Sequence, residues 1–183
     1  MGLLAACGGR ASSGGFHPNG KAPADGSSTA PSGAASGSAG SSAGNTPGAG
    51  GPMPKTPQSA LAAYRGYQLT YERAYENNDP SLLDPVAIDP LLSIITSDIN
   101  KIRGQGFIWR FHNVLNPHVQ GGSADGSSVV ILDCVKTLGS YQFSAKTGKR
   151  IGSFRGGTAV YQATMRYSDS TWKISEATEG GKC

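Results

Sequence analysis

Apolar residues recur at steps of three and four between Ala60 and Tyr75, and this spacing predicts a first helix. Thr56-Pro57 opens it, because the Thr hydroxyl caps free N–H groups and Pro suits the first helical position. The helix is expected to run to about Asn77. Its stripe is Ala60, Tyr64, Tyr67, Tyr71, Ala74 and Tyr75. Four rings on one face belong in a core, with hydroxyls that need partners there. Asp79-Pro80, Asp84-Pro85 and Asp89-Pro90 follow, each an Asp cap before a Pro at the first helical position. The first two predict short turns. The third predicts a helix from Leu91 to Arg103, with Leu91, Leu92, Ile95, Ile99 and Ile102 on one side. Gly104 and Gly106 are expected to stop it by allowing positive φ.

After Gly106 the period changes to two. Phe107, Trp109 and Phe111 alternate with Ile108, Arg110 and His112, as in a half-buried strand. Asn116-Pro117 and Gly121-Gly122 are read as breaks, with His118 in a loop. Val129 to Thr137 is apolar on both faces, which suits a central strand. Tyr141 to Ala145 and Ile151 to Phe154 flank Lys146-Thr147-Gly148-Lys149, a hairpin signal. Thr158 to Tyr167 and Thr171 to Ala177 flank Ser168-Asp169-Ser170, a second one. Helices followed by strands predict an α+β fold, N-terminal helices packed on a curved antiparallel sheet of five or six strands.

Composition divides the chain near residue 55. Residues 8–55 are almost all Gly, Ser, Ala and Pro, so they hold too little apolar surface to offset ordering entropy and are read as a tether. Residues 56–183 are long enough for one domain with a core. At the other end of the tether, Leu4-Ala5-Ala6-Cys7 fits the bacterial lipobox, so residues 1–7 read as the remnant of a lipoprotein signal and Cys7 as the lipid carrier. The residues before Cys7 are too few to engage a translocon, which means that the start lies upstream or that the leader has been shortened. The expected location is the outer face of the cytoplasmic membrane, held there by the lipid. If Cys7 takes lipid, Cys134 and Cys183 remain, and an oxidising compartment favours their pairing over two free thiols.

Charge is uneven. Residues 56–100 hold two Arg against six carboxylates, whereas residues 101–183 hold eleven basic and five acidic residues. Lys146, Lys149, Arg150 and Arg155 form a candidate contact surface for an envelope protein, an anionic lipid or a wall polymer. Nucleic acid is excluded for an exported chain with so little clustered charge. Residues 40–44 match the letters of the hydrolase nucleophile elbow but lie in the tether, without the strand and helix that the elbow needs. His112 and His118 make a poor metal pair, no phosphate-binding loop joins a strand to a helix, and no cofactor is expected.

Several of these segments carry a resemblance. They are Ala62-Ala63-Tyr64 with Tyr71 and Tyr75, the helix end Ile102-Arg103-Gly104, Asp133-Cys134, the Lys146–Lys149 turn, Ser170-Thr171-Trp172-Lys173-Ile174 and the closing Gly180-Gly181-Lys182-Cys183. Together, over about residues 58–183, the chain resembles the nuclear transport factor 2-like (cystatin-like) superfamily, and within it small lipoproteins of high-GC Gram-positive bacteria. The resemblance implies a cone-like fold with a pocket between helices and sheet, and a sheet face through which a homodimer can form. Its enzymes, isomerases and dehydratases, use that pocket, while many members have no known catalysis. A ketosteroid-isomerase-like reaction needs a carboxylate base and an oxyanion donor, which makes Asp133, Tyr71, Tyr75 and Trp109 the candidate pocket. The direction of Asp133 is left open by a strand apolar on both faces; the other reading is an Asp that binds a neighbouring Arg or a backbone N–H. The leading expectation is a non-catalytic binding or assembly module, with a small-molecule carrier or isomerase-like enzyme as the alternative.

Overall fold

The computed structural model describes residues 52–183. Cys7 and most of the expected tether lie outside the described residues. Helix α1 (Pro57–Asn77) starts where Thr56 accepts a hydrogen bond from the Ser59 N–H at 3.2 Å. It ends at Asn78, whose left-handed backbone turns its N–H onto the carbonyls of Ala74 and Tyr75. The predicted stripe is buried, and Gln68 is buried with it. A short 3₁₀ turn (Pro80–Leu83) follows, capped by Asp79. Asp84-Pro85 opens no helix.

Helix α2 (Leu91–Gly104) buries Leu91, Ile95, Ile99 and Ile102. Its N-terminus differs from the expectation: Pro90 is the cap rather than the first helical residue, and Asp89 reaches past it to accept from the Ser93 N–H at 3.1 Å. At its other end Gly104 is still helical, and the positive φ falls on Gly106.

Five antiparallel strands follow: β1 (Phe107–Val114), β2 (Pro117–Gly122), β3 (Ser128–Ser144), β4 (Arg150–Ser168) and β5 (Thr171–Glu179). The order is β1-β3-β4-β5, and β2 also pairs with β3. β1 takes the part of β3 near the hairpin turn (Phe107 against Ser144), while β2 takes the other end (Pro117 against Asp133). Between the expected breaks at Asn116-Pro117 and Gly121-Gly122, where a loop was expected to hold His118, the chain therefore forms a strand. Pro is tolerated as the first residue of an edge strand. Only Pro117 of this strand is buried, so no apolar alternation announces it.

The five strands fall within the expected number, but their bounds differ. Val129–Thr137 and Tyr141–Ser144 are parts of one strand, which ends one residue before the expected Ala145, and Ile151–Phe154 and Thr158–Tyr167 are parts of another. The glycines between them, Gly139 and Gly156-Gly157, lie in the same stretch of the ladder (Thr137 pairs with Gly157, Gly139 with Arg155). Both strands switch the face they turn inward there, with Phe154 of β4 meeting the buried Trp109, and the long hairpin bends. On β3 the inward residues run Val129, Ile131, Asp133, Val135, then Ser140. The two backbones touch at the bend: a Cβ on Gly156 would stand 1.8 Å from the Thr137 carbonyl oxygen. Gly156→Ala must force the strands apart, and the expected loss is about 3 kcal/mol of unfolding free energy, read by urea titration. A variant within about 0.5 kcal/mol of wild type would mean that the bend gives freely.

The core lies between α1, α2 and the concave face. It is built from the α1 tyrosines, the α2 aliphatics, Trp109 and Phe111, Ile131, Met165, Trp172 and Ile174. Among the described residues no helix is long and apolar enough to cross a membrane.

Candidate functional site

The α1 tyrosines divide into two groups along the helix. Toward its C-terminal end, Tyr71 and Tyr75 pack ring to ring at 4.8 Å, and both meet Phe111 edge-on at 5.6 and 5.7 Å. The Tyr75 hydroxyl donates to Asp98 on α2 at 2.7 Å. Tyr67 stands 5.8 Å from Tyr71, and its buried hydroxyl has no hydrogen-bond partner. Trp109 packs farther out, at 5.1 Å from Phe154 of β4.

Asp133 points inward, at the other end of the helix. Its Oδ1 accepts from the Asn116 N–H at 2.7 Å and its Oδ2 from the Tyr64 hydroxyl at 2.9 Å. A chain of donors leads to it. Thr137 Oγ1 donates to Asn113 Oδ1 at 2.8 Å. Asn113 Nδ2 donates to Gln68 Oε1 at 3.4 Å, and Gln68 Nε2 donates to Tyr64 Oη at 3.0 Å. All these bonds run in one direction and end on a carboxylate, so each polarises the next. Burial raises the Asp133 carboxyl above its ordinary value, against the Asn116 N–H and the Tyr64 hydroxyl, which pull it down. Burial, reinforced by the charge of Asp133, pushes the Tyr64 hydroxyl far up.

The four candidate pocket residues are thus not gathered round one space. Tyr71 and Tyr75 come together, Trp109 sits at the bent arm of the hairpin, and Asp133 is tied to Tyr64. At 1.5 Å per residue, Tyr64 lies roughly 10 Å and 16 Å along the helix from Tyr71 and Tyr75. Both Asp133 oxygens are occupied by donors, and the Tyr75 hydroxyl is committed to Asp98. Gln68 and Asn113, which hold the chain together, carried no signal in the sequence. Gln68 does sit four residues from both Tyr64 and Glu72, in line with the buried face.

His112, exposed on β1, meets Glu72 at 3.0 Å, and the other oxygen of Glu72 accepts from the Asn113 N–H at 2.7 Å. Among the described residues, no group of three or more His, Cys, Asp or Glu is placed to hold a metal ion.

Two further features lie at the bend and beyond it. At the bend a cleft of ≈ 170 Å³ is lined by Thr137, Ser140, Arg155, Gly156, Tyr161 and Glu179, and Tyr161 donates to its cross-strand neighbour Glu179 at 2.9 Å. Beyond the bend the arm presents Lys146, Lys149, Arg150 and Arg155, all exposed. Leu138, Tyr141, Ile151 and Phe154 are exposed beside them. Arg150 lies over the Tyr141 ring at 5.6 Å and Arg110 over Phe143 at 4.7 Å. Cys134 and Cys183 form a disulfide, with Sγ atoms 2.08 Å apart. It draws the segment after β5 across the sheet.

No family model matches the chain, and no curated protein does either. Solved structures do. The intermembrane-space region of the chloroplast protein ARC6 superposes with a TM-score of 0.56 at 16% identity, over 68% of this chain and 96% of that one. A protein of the NTF2-like family from Streptomyces avermitilis gives 0.49 at 10% identity, over 69% and 99%. The hexachlorocyclohexane dehydrochlorinase LinA-type3 from Novosphingobium barchaimii gives 0.47 at 12% identity, over 68% and 87%. The likeness is one of fold: helices on the concave side of a curled five-stranded sheet, the nuclear transport factor 2-like cone.

Proposed function

We propose that this chain is an exported, lipid-anchored protein of the cell envelope whose domain is a non-catalytic binding or assembly module. The observation that carries this reading is where the polar groups go. Those that an acid–base site would need are spent inside, in the chain from Thr137 to Asp133, while the basic and apolar arm of the hairpin faces outward. The disulfide supports an oxidising compartment. The lipobox supports an anchor at Cys7, where each buried CH₂ of a lipid chain adds about 0.8 kcal/mol. A Gly/Ser-type tether over residues 8–55 has a reach of about 40 Å, enough to bring the arm to a neighbour on the membrane.

The second reading is a small-molecule carrier or isomerase-like enzyme. The cleft at the bend favours it, but its ≈ 170 Å³ falls short of the roughly 300 Å³ at which ligand pockets begin.

The test uses the full chain behind a complete secretion leader. Wild type is expected in the membrane fraction, and Cys7→Ala in the soluble one. Lys149→Glu with Arg150→Glu should stay in the membrane and lose the cross-links that wild type makes there. Cross-links unchanged by the charge reversal would overturn the assignment of the arm. Cys7→Ala retained in the membrane would overturn the anchor.

A further inference from the structure

The sheet has an open edge whose cause is visible in the topology. β5 pairs with β4 only from Tyr161 to Ser168. The segment after it makes two more bonds, Gly180 N–H to the Val160 carbonyl at 2.7 Å and Val160 N–H to the Gly181 carbonyl at 2.9 Å. Cys183 is then bonded to Cys134, on the strand next to Val160. From Arg150 to Thr158, β4 pairs with β3 on one side, and no described strand pairs with the other. These nine residues span about 30 Å.

We propose that this edge accepts an extended, acidic segment of a partner protein as an added strand. The proposal rests on the binding-module reading above and gives it a mechanism. Direction within the strand shows which groups are offered. Val160, with its side chain on the convex side, turns its N–H and carbonyl away from β3. In one strand, residues on one face point their amides the same way. Thr158 shares the face of Val160. Ser153, beyond the bend and opposite Tyr141, lies on that face too. Both therefore offer main-chain groups to an added strand.

Charge selects the occupant. From Cys134 to Ser168 the chain carries six basic residues (Lys136, Lys146, Lys149, Arg150, Arg155 and Arg166) and no Asp or Glu. An acidic strand is steered to this hairpin, and a basic one is repelled. The cleft adds selectivity. Gly156, Gly157 and Thr158 of the edge form one wall, and Tyr161 and Glu179 form another. An inward side chain of the added strand enters there between Arg155 and the Tyr161–Glu179 pair, and a neutral one suits a cleft that carries both signs of charge. The expected ligand alternates neutral residues inward with acidic ones outward, the division that strand addition makes between main-chain affinity and side-chain specificity.

The probe is an eight-residue peptide of alternating Val and Glu, with a Val/Lys peptide as control, titrated into the oxidised full chain. The acidic peptide should bind at least tenfold tighter than the basic one. Ser153→Pro removes an outward N–H and leaves the ladder to β3 in place. It should weaken binding at least tenfold at an unchanged unfolding midpoint. In wild type the Thr158 amide should exchange more slowly with peptide bound; this readout decides the matter if Ser153→Pro proves unstable. No binding overturns the proposal. So does equal binding by a folded Ser153→Pro variant, the signature of charge alone, as for a lipid or polymer surface. A wild-type dimer that Ser153→Pro makes monomeric also overturns it, in favour of a second copy on the edge. If Lys149→Glu with Arg150→Glu abolishes the membrane cross-links while the peptide arm fails, the module stands and the strand-addition mode falls.

Discussion

Reducing the Cys134–Cys183 bridge is expected to lower the unfolding free energy of the domain by about 4 kcal/mol, because it frees a loop of 49 residues in the unfolded chain. For a domain of this size that is a fall of roughly 15 °C in Tm. The check is a thermal unfolding curve with and without reductant, beside Cys183→Ser. The variant should match reduced wild type and show no response to reductant. A midpoint that moves by less than about 2 °C would show that the unfolded chain gains little freedom on reduction. The loss has a local side as well. The bonds of Val160 to Gly180 and Gly181 lose the constraint that places them, so proteolysis should first trim the end of the chain.

Asp133→Ala is expected to cost about 3 kcal/mol without any change in a surface property. It leaves the Asn116 N–H and the Tyr64 hydroxyl without an acceptor at a buried position, and each such orphan costs about 1–3 kcal/mol. Tyr64→Phe should cost less, since the carboxylate keeps its bond from Asn116. The pH dependence of the same site has a definite sign. The carboxyl sits above its ordinary value of 3.8 because burial disfavours the charged form. The folded chain thus holds this proton more firmly than the unfolded chain does. The stability it contributes is complete below 3.8 and is lost as pH rises through the folded value. Asp133→Asn removes that titration. Urea unfolding from about pH 3 to pH 8 should show wild type losing ground to Asp133→Asn as pH climbs. The opposite slope would mean that the donors from Asn116 and Tyr64 outweigh burial.

Both results bear on function. A stability loss of that size marks Asp133 as a structural acceptor, whatever else the fold can host.

The helices were legible because their signals are local. Thr56-Pro57, the tyrosine stripe and the Ile95–Ile99–Ile102 spacing each lie within a few turns of backbone. The first strand announced itself by strict alternation, from Phe107 to Phe111. The cysteine pair was readable by counting, once Cys7 was assigned to lipid. The long hairpin was not. Gly139 and Gly156-Gly157 look like turn residues in a linear text, and only the register of β3 against β4 shows that they let two backbones touch. Pro117–Gly122 was hidden for a related reason, because a strand with one buried residue has no period to display.

The site divides in the same way. Residue type pointed to Asp133 and to the basic residues of the turn. Neither the facing of Asp133 nor its partners could follow from a strand apolar on both sides. Its partners are Tyr64 on α1 and the Asn116 N–H, and the donors behind Tyr64 come from three elements, Gln68 on α1, Asn113 on β1 and Thr137 on β3. Hydrogen bonds between residues tens of positions apart leave no mark on local spacing. Local chemistry was enough to settle the helices, the first strand, the α+β class and the sign of the charged arm. The bend, the internal donor chain and the open edge of β4 were decided only when distant segments packed, because each depends on which backbone lies beside which.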